Sequence, residues 1–300
     1  MTRLQADCIL LFAAALWGIA FFFQKDAMQH VGPLTFIAAR AILAAIVLTP
    51  LAIFEHRNKK PASTASTGLR TIALASGAAF LLAAFLQQEG LRTASVTNTG
   101  FLTSLYVVLT PLVAWIVSAT APPRIVWPAI ALSFLGTWLL GGGAAGGLGL
   151  GDLLVMAGSL FWAIHCVITA RASLFERPLT YTALQFAAVA VAATVGAVLF
   201  ENPTIEAIGA ARVPILFVGL VSTALTYTIF SIAIRHTTPP EAAVLLSAES
   251  LFAAGAGALF LGERLSVVSW SGAGLMIAAV ILVQLGPWLR RSALRGAASG

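Results

Sequence analysis

Residues 7–40 recur without a gap at 152–185: Asp7 matches Asp152, Trp17 matches Trp162, and Pro33-Leu34-Thr35 matches Pro178-Leu179-Thr180. A second block recurs at an offset of 143, pairing Arg92 with Arg235, Leu102 with Leu245, Ser104 with Ser247 and Trp127 with Trp270. One folding unit is therefore written twice. Its solvent follows from composition: 59% of residues are hydrophobic and 9% charged, with a mean hydropathy of +0.95, whereas a soluble domain is about a quarter charged. The chain reads as an all-α integral membrane protein.

A helix needs about 20 mostly apolar residues to cross a hydrocarbon core about 30 Å thick. Turn residues divide the sequence into ten such runs, near 7–28, 33–54, 69–89, 97–118 and 125–143 in the first copy, and 151–172, 179–200, 212–234, 240–262 and 266–288 in the second. The units are thus a first five-helix repeat (1–143), a glycine-rich joint (144–150), a second five-helix repeat (151–288) and a basic tail (289–300). Five spans per copy is odd, so the copies face opposite ways, giving two five-helix inverted-topology repeats of the kind that build alternating-access carriers. Lysine and arginine orient them. With the N-terminus inside, the cytoplasmic segments hold Arg3, Arg57, Lys59, Lys60, Arg70, Arg124, Arg171, Arg177, Arg235, Arg290, Arg291 and Arg295, against Lys25, Arg92, Arg212 and Arg264 outside. Both termini are expected in the cytoplasm, in a multi-pass protein of the cytoplasmic (inner) membrane.

The net charge of +6 sets orientation rather than nucleic-acid binding, because the basic residues lie in short loops and the tail. Cys8 and Cys166 lie in apolar segments of different copies and read as buried thiols, and no metal-ligand spacing occurs. The glycines from Gly141 to Gly151 lack the following Lys-Ser or Lys-Thr of a phosphate-binding loop. Without a nucleophile–base pair there is no catalytic residue to name, and no cofactor is implied.

Residues three or four apart share a helix face. Span one places Trp17, Phe21 and Gln24 together; span six places Trp162, His165 and Thr169 on the equivalent face. Polar groups among aromatics at this depth point to the protein interior rather than lipid. Span four carries Thr99, Thr103, Tyr106 and Thr110, a polar stripe expected to line a cavity unless its hydroxyls bond back to their own helix. In spans three and eight, Phe80, Ala84 and Gln88 correspond to Thr223, Tyr227 and Ser231, one face each, with Tyr227 and Gln88 as candidates for the cavity wall and ordinary interhelical packing as the alternative. The 143 offset matches Tyr106 to Glu249, which lies about 13 Å beyond Pro240 along span nine, close to the midplane. A charge there costs about 2.5–3.5 kcal/mol, so Glu249 is expected to meet a substrate ammonium or carry a proton; the alternative is a neutral acid bonded to a neighbouring helix. His165 is a second candidate for proton work. Arg40 either snorkels to the outer interface or draws a substrate carboxylate to the external mouth. Pro111 is expected to bend span four, and Gly255, Gly257, Gly272 and Gly274 are expected to pack spans nine and ten together.

Certain segments resemble a known family: Trp17-Gly18 with Phe21-Phe22-Phe23, Trp162-Ala163, Gly100-Phe101-Leu102-Thr103-Ser104-Leu105-Tyr106 with Thr110-Pro111, Ser247-Ala248-Glu249-Ser250 and Phe260-Leu261-Gly262-Glu263-Arg264. In this register they are similar to the ten-span EamA-type permeases of the drug/metabolite transporter superfamily, and among those to YddG-type amino-acid exporters. Two positions depart from the pattern: Ser250 replaces a usual proline, and the first copy has Thr120-Ala121 where the second has Glu263-Arg264. The resemblance implies a transporter. An aromatic cavity with a few amides, hydroxyls and one acid suits an amphipathic solute, so the expected function is export of amino acids, aromatic and other neutral ones included. The partners are the small-molecule substrate and the lipid bilayer; a monomer is compatible with the sequence. Efflux of organic cations is the rival reading, with a channel or a membrane enzyme behind it.

Overall fold

The computed structural model describes residues 1–58, 65–119, 121, 124, 126–140 and 149–298, except the side chains of 65, 66 and 283–298. Most of the glycine-rich joint lies outside the described residues. Eight helical stretches are long and apolar enough to cross a membrane, and two shorter apolar helices, Val126–Leu140 and Val267–Leu282, complete the ten. The helices of the first copy are α1 (Arg3–Ala27), α2 (Pro33–Asn58), α3 (Ala65–Leu91), α4 (Val96–Thr103), α5 (Tyr106–Ser118) and α6 (Val126–Leu140). The second copy comprises α7 (Leu150–Ser173), α8 (Pro178–Phe200), a short α9 (Ile205–Ala210), α10 (Arg212–Leu216), a π-helix (Phe217–Leu225), α11 (Thr226–Ala233), α12 (Pro239–Leu246), α13 (Glu249–Leu261) and α14 (Val267–Ala298).

Contacts at the helix ends make the inversion explicit. On the proximal face, where α1 begins, Arg3 Nη2 lies 3.1 Å from Glu241 Oε2 at the start of α12, and the end of α2 meets the start of α8. On the distal face, Gly90 near the end of α3 packs directly on Gly151 at the start of α7. The α1 and α7 helices, which carry the same sequence pattern, therefore enter from opposite faces. Each copy packs mainly on the other: α2 lies along α8, α3 along α7 and α6 along α14.

The α2–α8 pair is joined by exchanged end caps. The Glu201 carboxylate, at the end of α8, accepts from the Leu34 and Thr35 N–H groups (2.8 and 2.7 Å) and the Thr35 hydroxyl (2.8 Å) at the start of α2. At the other face Glu55, near the end of α2, accepts from the Thr180 N–H (2.8 Å) and hydroxyl (2.7 Å) at the start of α8. The first N–H groups of a helix have no partner within it, and a carboxylate both satisfies them and complements the helix dipole. Pro33 and Pro178 open these helices, where a missing N–H costs nothing.

Spans four and nine are each broken at one register. Between α4 and α5 the bonds tighten to Leu105 N–H with Leu102 C=O (3.3 Å), Val107 N–H with Ser104 C=O (3.0 Å) and Val108 N–H with Leu105 C=O (3.0 Å). Between α12 and α13 the same three bonds recur 143 residues later, from Ala248, Ser250 and Leu251. The expected bend at Pro111 is thus corrected: the break precedes it, and span nine breaks identically with Ala254 at the proline's register. The two breaks cross. Ser104 Oγ meets Ser250 Oγ, and Ser250 Oγ donates to the Gly100 carbonyl at 2.9 Å, so Ser250 pins one half-helix on the other.

The glycine expectation is corrected too. Gly272 packs on Gly136 of span five, Gly257 faces Thr97 and Glu263, and nothing lies within 4 Å of where a side chain would start at Gly255 or Gly274. Close approach joins spans five and ten instead of nine and ten.

Candidate functional site

The broken helices, α1, α7 and the π-helix surround one central, narrow cavity of about 50 Å³. Span one contributes Trp17, Phe21 and Gln24, span four Thr103 and Tyr106, span six Trp162 and His165, span eight Tyr227 and span nine Glu249. Arg40 also lines it. It is only 3% exposed, with its guanidinium carbon 5.0 Å from the Phe80 ring centroid, so it does not snorkel away from the cavity.

Thr99 and Thr169 are brought elsewhere. The Thr99 hydroxyl donates to its own helix at Ser95 C=O (2.8 Å), and Thr169 donates to His165 C=O (2.8 Å) and meets the Tyr181 hydroxyl. Neither lines the cavity. Thr110 likewise returns to Tyr106 C=O at 2.7 Å. A buried hydroxyl with a carbonyl one turn back is already satisfied.

Five wall residues escaped the helical-face argument: Gln87, Cys166, Ser222, Phe230 and Leu246. Phe230 follows Tyr227 by three residues and shares its face, which was a usable signal. For span three the face was assigned one residue out of phase. Gln88 lies behind the wall, bonded to Gln24 Oε1, and Gln87 is the residue presented to the cavity.

Aromatic rings form a box. The Trp17 centroid is 4.7 Å from Tyr227 and 5.6 Å from Phe230; Phe80 sits edge-on to Trp162 at 5.4 Å and to Tyr227 at 5.2 Å. The two equivalent tryptophans are held by different acceptors. Trp162 Nε1–H donates to Gln87 Oε1 at 2.7 Å, and Trp17 Nε1–H donates to the Ser222 carbonyl at 3.0 Å. That carbonyl belongs to the π-helix, whose wider turn changes the pairing of its backbone; the Val221 carbonyl accepts both the Thr226 N–H and, at 2.8 Å, the Thr226 hydroxyl five residues on. No such turn occurs in span three, which is regular α-helix at the matching register.

Glu249 begins α13, just past the break, and is buried. Its carboxyl and the Tyr106 hydroxyl, equivalent positions in the two copies, face each other across the crossing. Neither completes a hydrogen bond of good geometry: Tyr106 Oη and Glu249 Oε1 are both buried without a partner. His165 is enclosed by rings, with Nε2 3.4 Å from Gln185 Oε1. Among the described residues no three His, Cys, Asp or Glu groups are placed to hold a metal ion.

Polar contacts bound the cavity at both faces. On the distal side the Glu263 carboxylate accepts from the Val96 and Thr97 N–H groups at the start of α4, and Lys25 Nζ donates to the carbonyls of Leu91, Arg92 and Ala94 at 2.7–3.2 Å. On the proximal side stand Arg3–Glu241 and an Arg235–Glu176 pair.

Two inverted five-helix repeats closed around a mid-membrane cavity define a membrane transporter. The EamA-like transporter family matches residues 4–142 and, a second time, 149–285, and the chain belongs to that family, within the drug/metabolite transporter superfamily. It is 28% identical over 284 residues to an uncharacterized transporter of Archaeoglobus fulgidus, covering 94% of this chain and 87% of that one. It is 26% identical to the uncharacterized transporter YwfM of Bacillus subtilis, over 95% of each chain. Against the uncharacterized inner membrane transporter YedA of Escherichia coli the identity is 22%, over 91% and 89%. A solved crystal structure superposes with a TM-score of 0.75 at 17% identity, covering 95% of this chain and 98% of its own, which shows a shared fold.

Proposed function

We propose that this transporter exports amino acids, aromatic and other neutral ones included, across the cytoplasmic membrane by alternating access between its two repeats. The observation that carries the reading is Glu249: a buried carboxyl with an unsatisfied oxygen, set at the crossing of two broken helices inside an aromatic box. Rings supply apolar contact for a side chain, and the acid supplies a partner for an ammonium or a carrier for a proton. The proximal face is assigned to the cytoplasm, since Arg3, Arg57, Arg70, Arg171, Arg177 and Arg235 gather there. The name of YedA as an inner membrane transporter agrees with that membrane. YddG-like selectivity rests on sequence resemblance.

The test is efflux from proteoliposomes loaded with individual labelled amino acids, with and without a pH gradient. Wild-type protein is expected to give saturable efflux, and Glu249→Gln to lose at least ten-fold in rate or to lose its pH dependence. Full-rate transport by Glu249→Gln with an unaltered pH profile would remove Glu249 from the mechanism. A second reading, efflux of organic cations, is favoured by the same acid among ring faces; transport of a quaternary ammonium dye without any amino acid would select it.

A further inference from the structure

We propose that Arg40 is the anion-binding pole of the cavity, receiving the carboxylate of the transported solute at a point separate from Glu249. The inference rests on the reading above that this cavity carries the substrate. A guanidinium keeps its proton in proteins, and burying one without a counter-charge is costly. Arg40 is buried, its Nε has no partner, and among the described residues it forms neither an ion pair nor a hydrogen bond. Glu249 lines the same cavity but does not pair with it. The Phe80 and Phe36 rings, 5.0 and 6.0 Å from the guanidinium carbon, offset part of the cost by cation–π attraction and leave the donor fork unused.

The duplication supplies a control within the same molecule. The residue 145 positions after Arg40 is Gln185, and its Oε1 is taken up by the Ser76 hydroxyl at 2.9 Å and His165 Nε2 at 3.4 Å. In the second copy this register holds a neutral amide whose oxygen is taken up inside the protein while its Nε2 is left without a partner; in the first it holds a full cation, whose partner we assign to the cavity. Lys25, another basic residue near this end, is saturated by three carbonyls. A carboxylate matches the planar donors of arginine with two parallel bonds. The site thus has an anion pole at Arg40, an acid pole at Glu249 and aromatic walls between, which selects solutes bearing a carboxylate over those bearing only an amine.

The experiment is calorimetric titration of the full-length protein in lipid nanodiscs with three probes: phenylalanine, 3-phenylpropanoate and 2-phenylethylamine. Wild type is expected to bind both carboxylates. Arg40→Gln is expected to weaken them at least ten-fold and leave the amine within two-fold, while Arg40→Lys gives an intermediate loss for the carboxylates alone. Unchanged carboxylate binding in Arg40→Gln, equal loss of all three probes, or no carboxylate binding by wild type overturns the proposal. If Arg40→Gln does not fold, Arg40→Lys decides: equal loss across the probes overturns it. Arg40-dependent binding of 3-phenylpropanoate without amino-acid export would sink the amino-acid reading and keep the pole. Amino-acid export with affinity untouched by Arg40→Gln would do the reverse.

Discussion

Trp17 and Trp162 occupy one register of the repeat and end on unlike acceptors, a backbone carbonyl and a side-chain amide. Replacing Trp17 by Phe leaves the Ser222 carbonyl buried without its donor, at a cost of about 1–3 kcal/mol. Replacing Trp162 by Phe costs less, since Gln87 Oε1 also receives the Thr103 hydroxyl at 3.4 Å. Thermal unfolding of the two variants in detergent should therefore show the larger drop for Trp17→Phe, and equal drops would contradict the assignment. Spacing alone located both rings, together with Gln24, Tyr106 and Glu249, because their helix faces are regular. It misjudged Thr99 and Thr169, whose hydroxyls look the same in sequence whether they face a cavity or bond to a carbonyl one turn back.

At the level of elements, the π-helix between Phe217 and Leu225 gives the second copy a wall that the first lacks. Thr226 holds it through the Val221 carbonyl. An isosteric Thr226→Val removes the hydroxyl bond and leaves only the backbone N–H on Val221, so the turn is expected to relax toward α-helical register and shift Tyr227 and Phe230. The expected result is a several-fold rise in KM with expression and monodispersity preserved; an unchanged KM would show that the hydroxyl does not set the wall. None of this was legible in sequence, since no residue type in Phe217–Leu225 marks a widened turn and its apolar pattern is that of an ordinary amphipathic helix. The paired breaks were equally hidden. A shift from i→i+4 to i→i+3 bonding at Ser104 and Ser247 needs no glycine or proline, and the visible proline seven residues beyond Ser104 was misleading.

For the whole molecule, the ten spans and their inversion were readable because an odd number of apolar runs recurs in register. The interlock was not: Glu55 and Glu201 look like ordinary charges at span ends until their partners in the other copy are known. Glu55→Ala and Glu201→Ala should each lower stability by about 1–2 kcal/mol, the usual cost of losing a helix N-terminal cap. The sites are about 35 Å apart along α8, so the double variant should be additive within about 0.5 kcal/mol. Denaturation midpoints of the three variants test this, and a loss well beyond the sum would mean that the two faces are coupled through the α2–α8 pair.

The exchanged caps also bear on stoichiometry. Within the α2–α8 pair each copy holds a carboxylate that the other uses and a helix start that the other finishes, so an unequal supply of the two halves would strand both kinds of group in the bilayer. Carrying both on one polypeptide holds their ratio at one to one, and the cell has no second gene dose to balance.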